Sequence, residues 1–311
     1  MKLSIVIPIY FNENNLQPFY TKLNEVFIKL KEVDYEIVFV DDGSMDNSYA
    51  KMQELRKIDS NIKLIKLAKN FGSHVAILAG LTYCTGDCAT VISADLQDPP
   101  FIILEMIEKY QMGREVILAV REDREESAIQ KFCSNTYYRL MRRYALSNMP
   151  LGGFDCFLID RKVIDVLVRM QEKNSSIMGQ ILWSGFSVDK IYYIRKEREI
   201  GKSRWTLSKK IKLFIDSFMA FSYVPIRMMT FLGILFSCIS FIYAIIVFIN
   251  KLKYGVIIEG WTSLMIIILL VSGIQLIFLG IIGEYLWRTM DESRKRPIFI
   301  VDKKEGFDEK N

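Results

Sequence analysis

The sequence predicts an α/β domain with a mostly parallel sheet, followed by an amphipathic helix and two membrane-crossing helices. Over residues 1–205, apolar segments rich in β-branched residues alternate with segments that have helical periodicity. This alternation is typical of right-handed β–α–β units whose helices cover both faces of the sheet. Residues 228–249 and 261–283 contain no charged side chain, and each run is long enough to cross a bilayer core of about 30 Å.

The predicted strands are apolar runs that end in polar residues. The first covers residues 3–9, and a run that is apolar on both faces indicates a central parallel strand. We expect further strands at residues 35–40, 62–67, 90–93, 116–120 and 187–195. Helices are expected from residue 16 to about 30, 48–57, 75–83, 129–144 and 207–221, the first two capped by Asn14 or Asn15 and by residues 46–48.

The residues after the predicted strand 90–93 suggest a metal site. Asp95 and Gln97 alternate around Leu96, so an extended backbone would direct both side chains to the same face. A carboxylate and an amide oxygen suit Mg²⁺ or Mn²⁺ bound to a substrate diphosphate. Taken alone, the stretch is equally compatible with a solvated strand-to-helix loop.

Polar clusters follow three of the predicted strands, at residues 10–13, 41–44 and 95–98. In an open parallel sheet, ligands bind beyond the carboxyl ends of the strands. Three acidic clusters meeting there would repel one another unless cations or hydrogen-bond donors neutralised them. The sequence contains neither a glycine-rich dinucleotide fingerprint nor a Walker loop. We therefore expect a nucleotide diphosphate held through a metal.

Further site candidates lie between residues 121 and 205. Asp155 stands among apolar residues shortly after two glycines, Gly152 and Gly153, and it is either a helix cap or a site residue. Arg198 and the loop 201–205 are basic and suit an anion. The helix predicted over 207–221 is apolar on one face and carries lysines elsewhere, which is typical of a helix lying in the membrane interface.

Charge placement predicts the orientation of the hairpin. Basic residues flank the two apolar runs: Lys209, Lys210, Lys212 and Arg227 before the first, and Arg288, Arg294, Lys295 and Arg296 after the second. The connecting loop carries only Lys251 and Lys253. By the positive-inside rule, both termini and the soluble domain are expected in the cytoplasm. The sequence shows no secretory signal, and its five scattered cysteines fit a reducing compartment better than a zinc site.

Several of these stretches together resemble the family-2 glycosyltransferases of the GT-A fold, which is Rossmann-like. The group they resemble most is the polyprenyl-phosphate (bactoprenol) glucosyltransferases, with dolichol-phosphate mannose synthases more distant. The matching residues occur in the same order along the chain: 5–13, 40–44, 70–72, 94–100, 153–161 and 201–205. The two-span tail followed by Arg296-Pro297 also looks like the bacterial group.

The resemblance implies roles for individual residues. It implies that nucleotide contacts come from Pro8, Tyr10, Glu13, Asp41, Asp42 and Asp95. Asp95 and Gln97 would hold Mg²⁺ or Mn²⁺, and Asp155 would take the catalytic position. The acceptor phosphate would meet the cations Arg121, Lys131, Arg198 and Arg204. Ser93 stands where the family often has an acid, which bears on the nucleotide and the metal coordination.

The reaction that the resemblance implies is inverting transfer of a hexose, from UDP-glucose, to undecaprenyl phosphate, for cell-envelope or O-antigen modification. Mannose, N-acetylglucosamine, galactose and amino-arabinose remain alternative sugars. A processive polysaccharide synthase is disfavoured, because Arg204-Trp205 lacks the glutamine of that motif. A non-catalytic nucleotide-binding membrane scaffold is a further alternative, with Ser93 its only support. The acidic strand ends oppose nucleic-acid binding.

The expected domain organisation has four parts along the chain. A cytoplasmic glycosyltransferase domain covers residues 1–205, the interfacial helix 206–226, the membrane hairpin 227–285 and a cytoplasmic tail 286–311. The expected location is the bacterial inner membrane. Small residues in the second span, Ser272, Gly273, Gly280 and Gly283, allow close helix packing and hint at a homo-oligomer.

Overall fold

The computed structural model describes residues 1–30, 33–122, 128–170, 172–173, 175–195, 207–254 and 260–307. The described residues form two compact units. The first comprises residues 1–221 together with those from Pro297 onward, and the second comprises Ser222–Arg296.

The first unit is built on one sheet of eight strands in the order β7-β5-β6-β4-β1-β2-β3-β8. Its strands are β1 (Lys2–Ile9), β2 (Asp34–Asp41), β3 (Ile62–Leu67), β4 (Cys88–Val91), β5 (Val116–Arg121), β6 (Phe154–Asp160), β7 (Val188–Tyr193) and β8 (Val301–Glu305). The neighbours β3, β2, β1 and β4 are parallel, as are β5 and β7. β6 and β8 are antiparallel to their neighbours. The predicted α/β class with a mostly parallel sheet is therefore confirmed.

The helices of the first unit lie between the strands in sequence. They are α1 (Leu16–Lys29), α2 (Ser48–Ile58), α3 (Ser73–Tyr83), α4 (Ile102–Gln111), α5 (Ala128–Tyr144), α6 (Arg161–Met170), α7 (Ile177–Trp183) and α8 (Leu207–Phe221). Two buried apolar clusters form the core. In β1 they receive alternate side chains, since Ile5 belongs to one cluster and Val6 to the other. Burial on both faces explains why the central strands are continuously apolar.

Two local expectations are wrong. β4 ends at Val91 rather than Ser93, because the following residues leave the sheet in a turn. Asn15 occupies the N-cap position of α1 in a helical conformation and makes no side-chain cap hydrogen bond. At the start of α2 the Asp46 carboxylate accepts a hydrogen bond from the Ser48 amide, so an acid from the predicted capping segment 46–48 does contribute there.

The amphipathic helix α8 follows the predicted bounds and packs on the first unit. The Phe214 ring contacts Tyr137 of α5, with centroids 5.8 Å apart. The Phe221 ring lies so close to Gly179 of α7 that a Cβ there would overlap it. Ile215 remains exposed. Part of the apolar face that the sequence associates with a membrane interface thus contacts protein.

The second unit consists of α9 (Val224–Tyr254) and α10 (Trp261–Ser293). Segments Val224–Tyr243 and Ile266–Ser293 are long and apolar enough to cross a membrane, and neither is buried within the protein. They overlap the two apolar runs predicted from the sequence. By length and composition the described part of the chain therefore has two candidate membrane helices.

The chain after α10 contributes to the sheet of the first unit. β8 pairs antiparallel with β3 along the sheet edge, and the Phe299 and Phe307 rings pack against Tyr83 of α3. The sequence indicated only a tail over residues 286–311. The strand was missed because its own residues, Val-Asp-Lys-Lys-Glu, are polar and resemble a solvated segment.

Candidate active site

The carboxyl ends of β1, β2 and β4 lie side by side, as a parallel sheet requires. Ile9 at the end of β1 is in register with Asp41 at the end of β2, and β4 pairs with β1 on its other side. Pro8 lies inside β1, opposite Val40. The strand order therefore brings the three predicted polar clusters to one edge of the sheet.

Hydrogen bonds join the loop after β1 to the loop after β2. The Phe11 amide donates to Ser44 Oγ at 3.0 Å, and the Asn12 amide donates to Ser48 Oγ at 2.9 Å. In return, Glu13 Oε2 accepts from the Asn47 amide at 3.0 Å. These bonds position Tyr10 and Glu13, two predicted nucleotide contacts, beside the acidic end of β2.

Asp41 uses only one of its two carboxylate oxygens in hydrogen bonds to the described residues. Its Oδ1 accepts a hydrogen bond from the Ser44 amide at 2.9 Å. Its Oδ2 is buried and has no hydrogen-bond partner among the residues that the structure describes. Burial raises the pKa of Asp41 above its ordinary value. A buried acceptor of this kind is expected to bind a donor group.

Asp42 holds the loop that follows β3. Its two carboxylate oxygens accept hydrogen bonds from the amides of Phe71 at 2.7 Å and Gly72 at 2.9 Å. Burial raises the pKa of Asp42 to about 6, although the two amide bonds act in the opposite direction. The Asp42 carboxylate therefore changes charge close to physiological pH.

Gly43 permits the close approach of the same loop. It has a positive φ of 69°, and a Cβ at this position would lie 2.5 Å from the Lys69 carbonyl carbon. Only glycine meets both conditions without displacing backbone. This contact is the physical reason for glycine within Asp41-Asp42-Gly43-Ser44.

The backbone around Asp95 and Gln97 is a turn, so the prediction of extended geometry is wrong. Leu96 between them has a positive φ of 60°, which extended strands do not adopt. The Gln97 amide approaches Asp95 Oδ1 at 3.3 Å across the turn. The turn keeps both residues together at the sheet edge through a tight bend instead of strand alternation.

Asp98 and Tyr193 form a buried pair that the sequence analysis missed. The Tyr193 hydroxyl donates to Asp98 Oδ1 at 2.5 Å, and the Asp98 side chain is fully buried. Burial, followed by the negative charge of Asp98, raises the pKa of Tyr193. Tyr193 ends β7, which is parallel to β5. The signal that could have identified Tyr193 is its polar hydroxyl near the carboxyl end of the strand predicted over residues 187–195.

Asp155 is paired with two arginines at this edge. It lies in β6, so its interpretation as a helix cap is wrong. Its Oδ2 forms an ion pair with the buried Arg121 at the end of β5, and Arg195 Nη1 lies 3.7 Å from the same oxygen. Arg195 Nε also lies 3.5 Å from Asp98 Oδ1. Arg195, which the sequence analysis did not select, thus bridges two acids.

The two glycines before Asp155 provide the room for this arrangement. A Cβ on Gly152 would overlap the Arg121 carbonyl oxygen, and one on Gly153 would overlap the Tyr138 ring. Gly153 also has a positive φ of 63°. The Gly-Gly pair therefore lets β6 begin directly beside the end of β5.

Not every predicted site residue can be located. The side chain of Lys131 in α5, and both Arg198 and Arg204, lie outside the described residues. Among the described predicted residues, the structure brings one group to the strand-end edge: Tyr10, Glu13, Asp41, Asp42, Asp95, Gln97, Arg121 and Asp155.

The oxygen donors at this edge fit a divalent cation. Asp95 is buried and Gln97 half-buried, and the buried Asp98 Oδ2 has no hydrogen-bond partner within the described ranges. These are carboxylate and amide oxygens, the ligands that Mg²⁺ and Mn²⁺ prefer. The described residues contain no cluster of three His, Cys, Asp or Glu side chains placed to hold a metal. A bound diphosphate would therefore have to complete the coordination.

Comparison with known protein families identifies one match. The model of glycosyl transferase family 2 matches residues 4–168. This range runs from β1 to α6 and includes the acidic strand ends, Arg121 and Asp155.

Sequence relatives cover nearly the whole chain, including the two candidate membrane helices. An uncharacterized glycosyltransferase of Bacillus subtilis, YkcC, is 42% identical over 311 residues, covering 100% of this chain and 96% of the relative. A prophage bactoprenol glucosyl transferase homolog of Escherichia coli is 33% identical over 302 residues, covering 97% and 98%. The bactoprenol glucosyl transferase of Shigella phage SfV is also 33% identical over 302 residues, with the same coverage.

Among solved structures, a mannosyltransferase of Pyrobaculum calidifontis, in complex with GDP-Man and Mn²⁺, aligns with a TM-score of 0.47 and 14% identity, over 68% of this chain and 60% of that chain. The family assignment rests on the family model and the sequence relatives. Since the model spans the strands that build the acidic edge, and the relatives extend through both apolar helices, the chain is a glycosyltransferase and belongs to glycosyl transferase family 2.

Proposed function

We propose that this glycosyltransferase transfers glucose from UDP-glucose to undecaprenyl phosphate at the cytoplasmic face of a bacterial membrane, with a divalent metal and inversion at the sugar. The observation that carries the proposal is the pairing of Asp155 with Arg121 and Arg195 beside the acidic strand ends. One edge of the sheet thus offers carboxylates for a nucleotide donor and guanidinium groups for a phosphate acceptor.

The donor side consists of the residues held by the joined loops after β1 and β2. Pro8, Tyr10, Glu13, Asp41 and Asp42 would bind the base and ribose. The buried Asp41 Oδ2 supports this assignment, since it has no hydrogen-bond partner in the described part of the chain. A ribose hydroxyl or a base N–H would satisfy that oxygen.

Asp95 and Gln97 would hold Mg²⁺ or Mn²⁺ against the donor diphosphate, and Asp95 would thereby also contact the nucleotide. When bound, the cation neutralises the negative charge that develops on the departing nucleoside diphosphate. The chain's own contribution is a buried carboxylate and an amide oxygen held by the turn at Leu96. Ser93 supplies no carboxylate, so the diphosphate oxygens of the nucleotide-sugar would fill a larger share of the metal coordination.

The acceptor side needs positive charge, because a lipid phosphate must approach a group of carboxylates. Arg121 and Arg195 supply it within the described residues, and Lys131, Arg198 and Arg204 are the further candidates. The guanidinium groups of Arg121 and Arg195, which are paired with Asp155, can also bind a phosphate bidentately. Asp155 would hold these arginines, and through them the acceptor, in line with the sugar.

The nucleophile is a phosphate oxygen of the acceptor. A phosphate monoester has a second pKa near 6, so it is mostly dianionic at neutral pH. A general base is therefore hardly required, and Asp155 acts chiefly by orientation, with uptake of a residual proton as its secondary role. A single displacement at the anomeric carbon would convert an α-linked donor into a β-linked product.

The membrane role is supported by the two long apolar helices. Residues on both sides of this hairpin belong to the same compact unit, so the chain must cross the membrane an even number of times between them. The basic flanks predict that this side is the cytoplasm. An anchored enzyme brings its water-soluble donor and lipid acceptor together at one surface.

Glucose is proposed because relatives that cover nearly the whole chain are named bactoprenol glucosyl transferases. The alternative sugars are mannose, galactose, N-acetylglucosamine and amino-arabinose. All of them use the same metal and phosphate chemistry, so the residues assigned above do not choose among them.

The test uses full-length protein in detergent with undecaprenyl phosphate, Mn²⁺ or Mg²⁺ and a panel of radiolabelled nucleotide-sugars. We expect label from UDP-glucose in the organic extract, lost on addition of EDTA and in Asp95→Ala. The matched control is Asp34→Ala, an exposed acid at the opposite end of β2, which should transfer normally.

Label from another donor would correct the sugar. Nucleotide binding without lipid-linked label from any donor would overturn the proposed reaction and favour a different acceptor or a non-catalytic membrane scaffold.

A further inference from the structure

The C-terminal segment, residues 297–307, extends the sheet next to the strand that leads into the Asp42 loop. β8 pairs with β3 so that Val301 lies opposite Leu67, the last residue of β3. Beyond this pair, the Ala68 amide donates to the Ile300 carbonyl at 2.9 Å. The segment therefore fixes the first residue of loop 68–72.

Loop 68–72 carries the amides that bind Asp42. Phe71 and Gly72 donate to its carboxylate at 2.7 and 2.9 Å. Close to these bonds, Lys69 packs against Gly43, the residue that follows Asp42. A displacement at Ala68 would therefore move both the amides that bind the Asp42 carboxylate and the Lys69 backbone beside Gly43.

Glu305, the last residue of β8, is bonded to α2. Its Oε1 accepts hydrogen bonds from the Tyr49 hydroxyl at 3.0 Å and from Gln53 Nε2 at 2.7 Å. α2 begins with Ser48, whose Oγ holds the Asn12 amide in the loop after β1. The C-terminal segment thus supports the second structural element that positions the donor residues.

Aromatic packing attaches the segment to α3 as well. The ring centroids of Phe307 and Phe299 lie 5.7 and 6.4 Å from that of Tyr83. Lys304 Nζ lies 5.0 Å from the centroid of the same Tyr83 ring. The segment therefore contacts α3 in addition to pairing with β3, and it is packed along its length.

We propose that residues 297–307 are a positioning element of the donor site and that Glu305 is a positioning residue for nucleotide binding. The inference rests on the proposed function in taking the donor to be a nucleotide-sugar. The chain reaches this segment directly from α10, so the strand that supports the donor site is also the covalent continuation of the membrane hairpin. The affinity for the nucleotide-sugar donor then depends on the covalent connection between α10 and β8.

The test compares Glu305→Ala with Glu305→Gln in the full-length protein, measuring the Kd of UDP with Mn²⁺ by calorimetry. Both hydrogen bonds end on one oxygen, which glutamine retains and alanine removes. Glu305→Ala removes both hydrogen bonds, and we expect it to raise the Kd about three- to tenfold, a change of the size that a hydrogen bond contributes. Glu305→Gln is expected to stay near the wild-type Kd, and the KM for the lipid acceptor is expected to be unchanged in both.

The matched control is Asp302→Ala, which removes an exposed acid from the same strand and should leave the Kd unchanged. Hydrogen exchange of the Phe71 and Gly72 amides adds a direct readout, since their protection should fall in Glu305→Ala alone. If Glu305→Ala does not fold, Tyr49→Phe removes one of the two donors, and a smaller rise in Kd is expected.

A lower Tm in Glu305→Ala with unchanged Kd and unchanged amide protection would overturn the inference, because the segment would then stabilise the fold without positioning the site. Equal weakening in Glu305→Gln and Glu305→Ala would also overturn it, since the retained oxygen would not matter. If wild-type protein binds neither UDP nor GDP, the proposed function fails instead. The exchange of the two amides in ligand-free protein then still decides the inference.

Discussion

Charge pairing at Asp155 shows how a half-exposed carboxylate is held in one position. Arg121 is buried and Arg195 mostly so, and both contact Asp155 Oδ2. Arg195 also approaches Asp98, whose Oδ1 accepts the Tyr193 hydroxyl. Two acids and two guanidinium groups nearly cancel in charge, so the desolvation of each is offset by its neighbours. A lipid phosphate that shares the arginines would therefore meet groups already in place.

Replacement of Asp155 by asparagine should abolish turnover while nucleotide binding survives. The amide keeps the size of the side chain but loses the charge that holds both arginines. We expect transfer to fall by at least about 100-fold, as misplacement of reacting groups typically causes. Asp165→Asn in α6, an exposed acid, serves as the control. Near-normal turnover of Asp155→Asn would remove this residue from the mechanism.

Donor affinity should decrease as pH falls through about 6. Burial raises the Asp42 pKa to about 6, so the carboxylate that holds loop 68–72 becomes neutral below that pH. The only histidine, His74, does not interfere, because burial lowers its pKa to about 4. Calorimetry with UDP-glucose between about pH 5 and about 8 measures the change, since a diphosphate esterified at both ends lacks the terminal phosphate ionisation near pH 6.

The same shift has a defined sign for folding. The folded-state pKa is raised, so the folded protein binds this proton more tightly than the unfolded chain does. Ionisation of Asp42 therefore lowers the free energy of unfolding as pH rises from 3.8 to about 6. A donor affinity that stays constant over the calorimetric range, from about pH 5 to about 8, would show that the Asp42 charge plays no part in binding.

At the level of elements, short turns decide where the side chains of the site lie. Leu96 turns the chain between Asp95 and Gln97, and the glycines before β6 let Asp155 approach the end of β5. Each turn depends on a backbone conformation that most residues avoid. The site is consequently sensitive to small substitutions that change no charged group.

Alanine at Gly153 should lower both stability and turnover. The position has a positive φ, and the added Cβ would overlap the Tyr138 ring. Gly113→Ala is the matched control, because Gly113 also has a positive φ, of 85°, but nothing lies within 4 Å of its Cβ position. The control should lose about 1–2 kcal/mol of stability for backbone strain alone. Gly153→Ala should lose more, with a reduced kcat.

The unfolding temperature in detergent and the transfer rate distinguish the two variants. Equal loss of stability with unimpaired transfer in both would mean that contact with Tyr138 does not determine the position of Asp155.

At the level of the whole molecule, the chain leaves the first unit after Phe221 and returns to it at Pro297. The return is secured by β8, which becomes an edge strand of the same sheet. This connectivity constrains the topology of the intervening helices independently of their charge pattern. Two crossings satisfy it, whereas a single crossing would put the two parts of one sheet on opposite sides of the membrane.

Labelling of engineered cysteines should show this topology in intact bacteria. Met45 is 93% exposed in the first unit, and Gly260 lies just before α10. With a membrane-impermeant maleimide, Gly260→Cys is expected to react from outside, while Met45→Cys reacts only after permeabilisation. The unmodified chain controls for its native cysteines. Reaction of Met45→Cys in intact cells would reverse the predicted orientation.

The sequence by itself determined the α/β class, the central strands and the two apolar helices, because each depends on periodicity within one short segment. It also indicated that acids at three strand ends would meet, since parallel strands bring their carboxyl ends to one edge. Only the tertiary structure decided which side chains pair there. Arg195 and Tyr193 reach Asp98 across almost a hundred residues of chain. The turn at Leu96 and the pairing of polar β8 with β3 likewise depend on packing against distant segments, which local patterns of hydrophobicity do not encode.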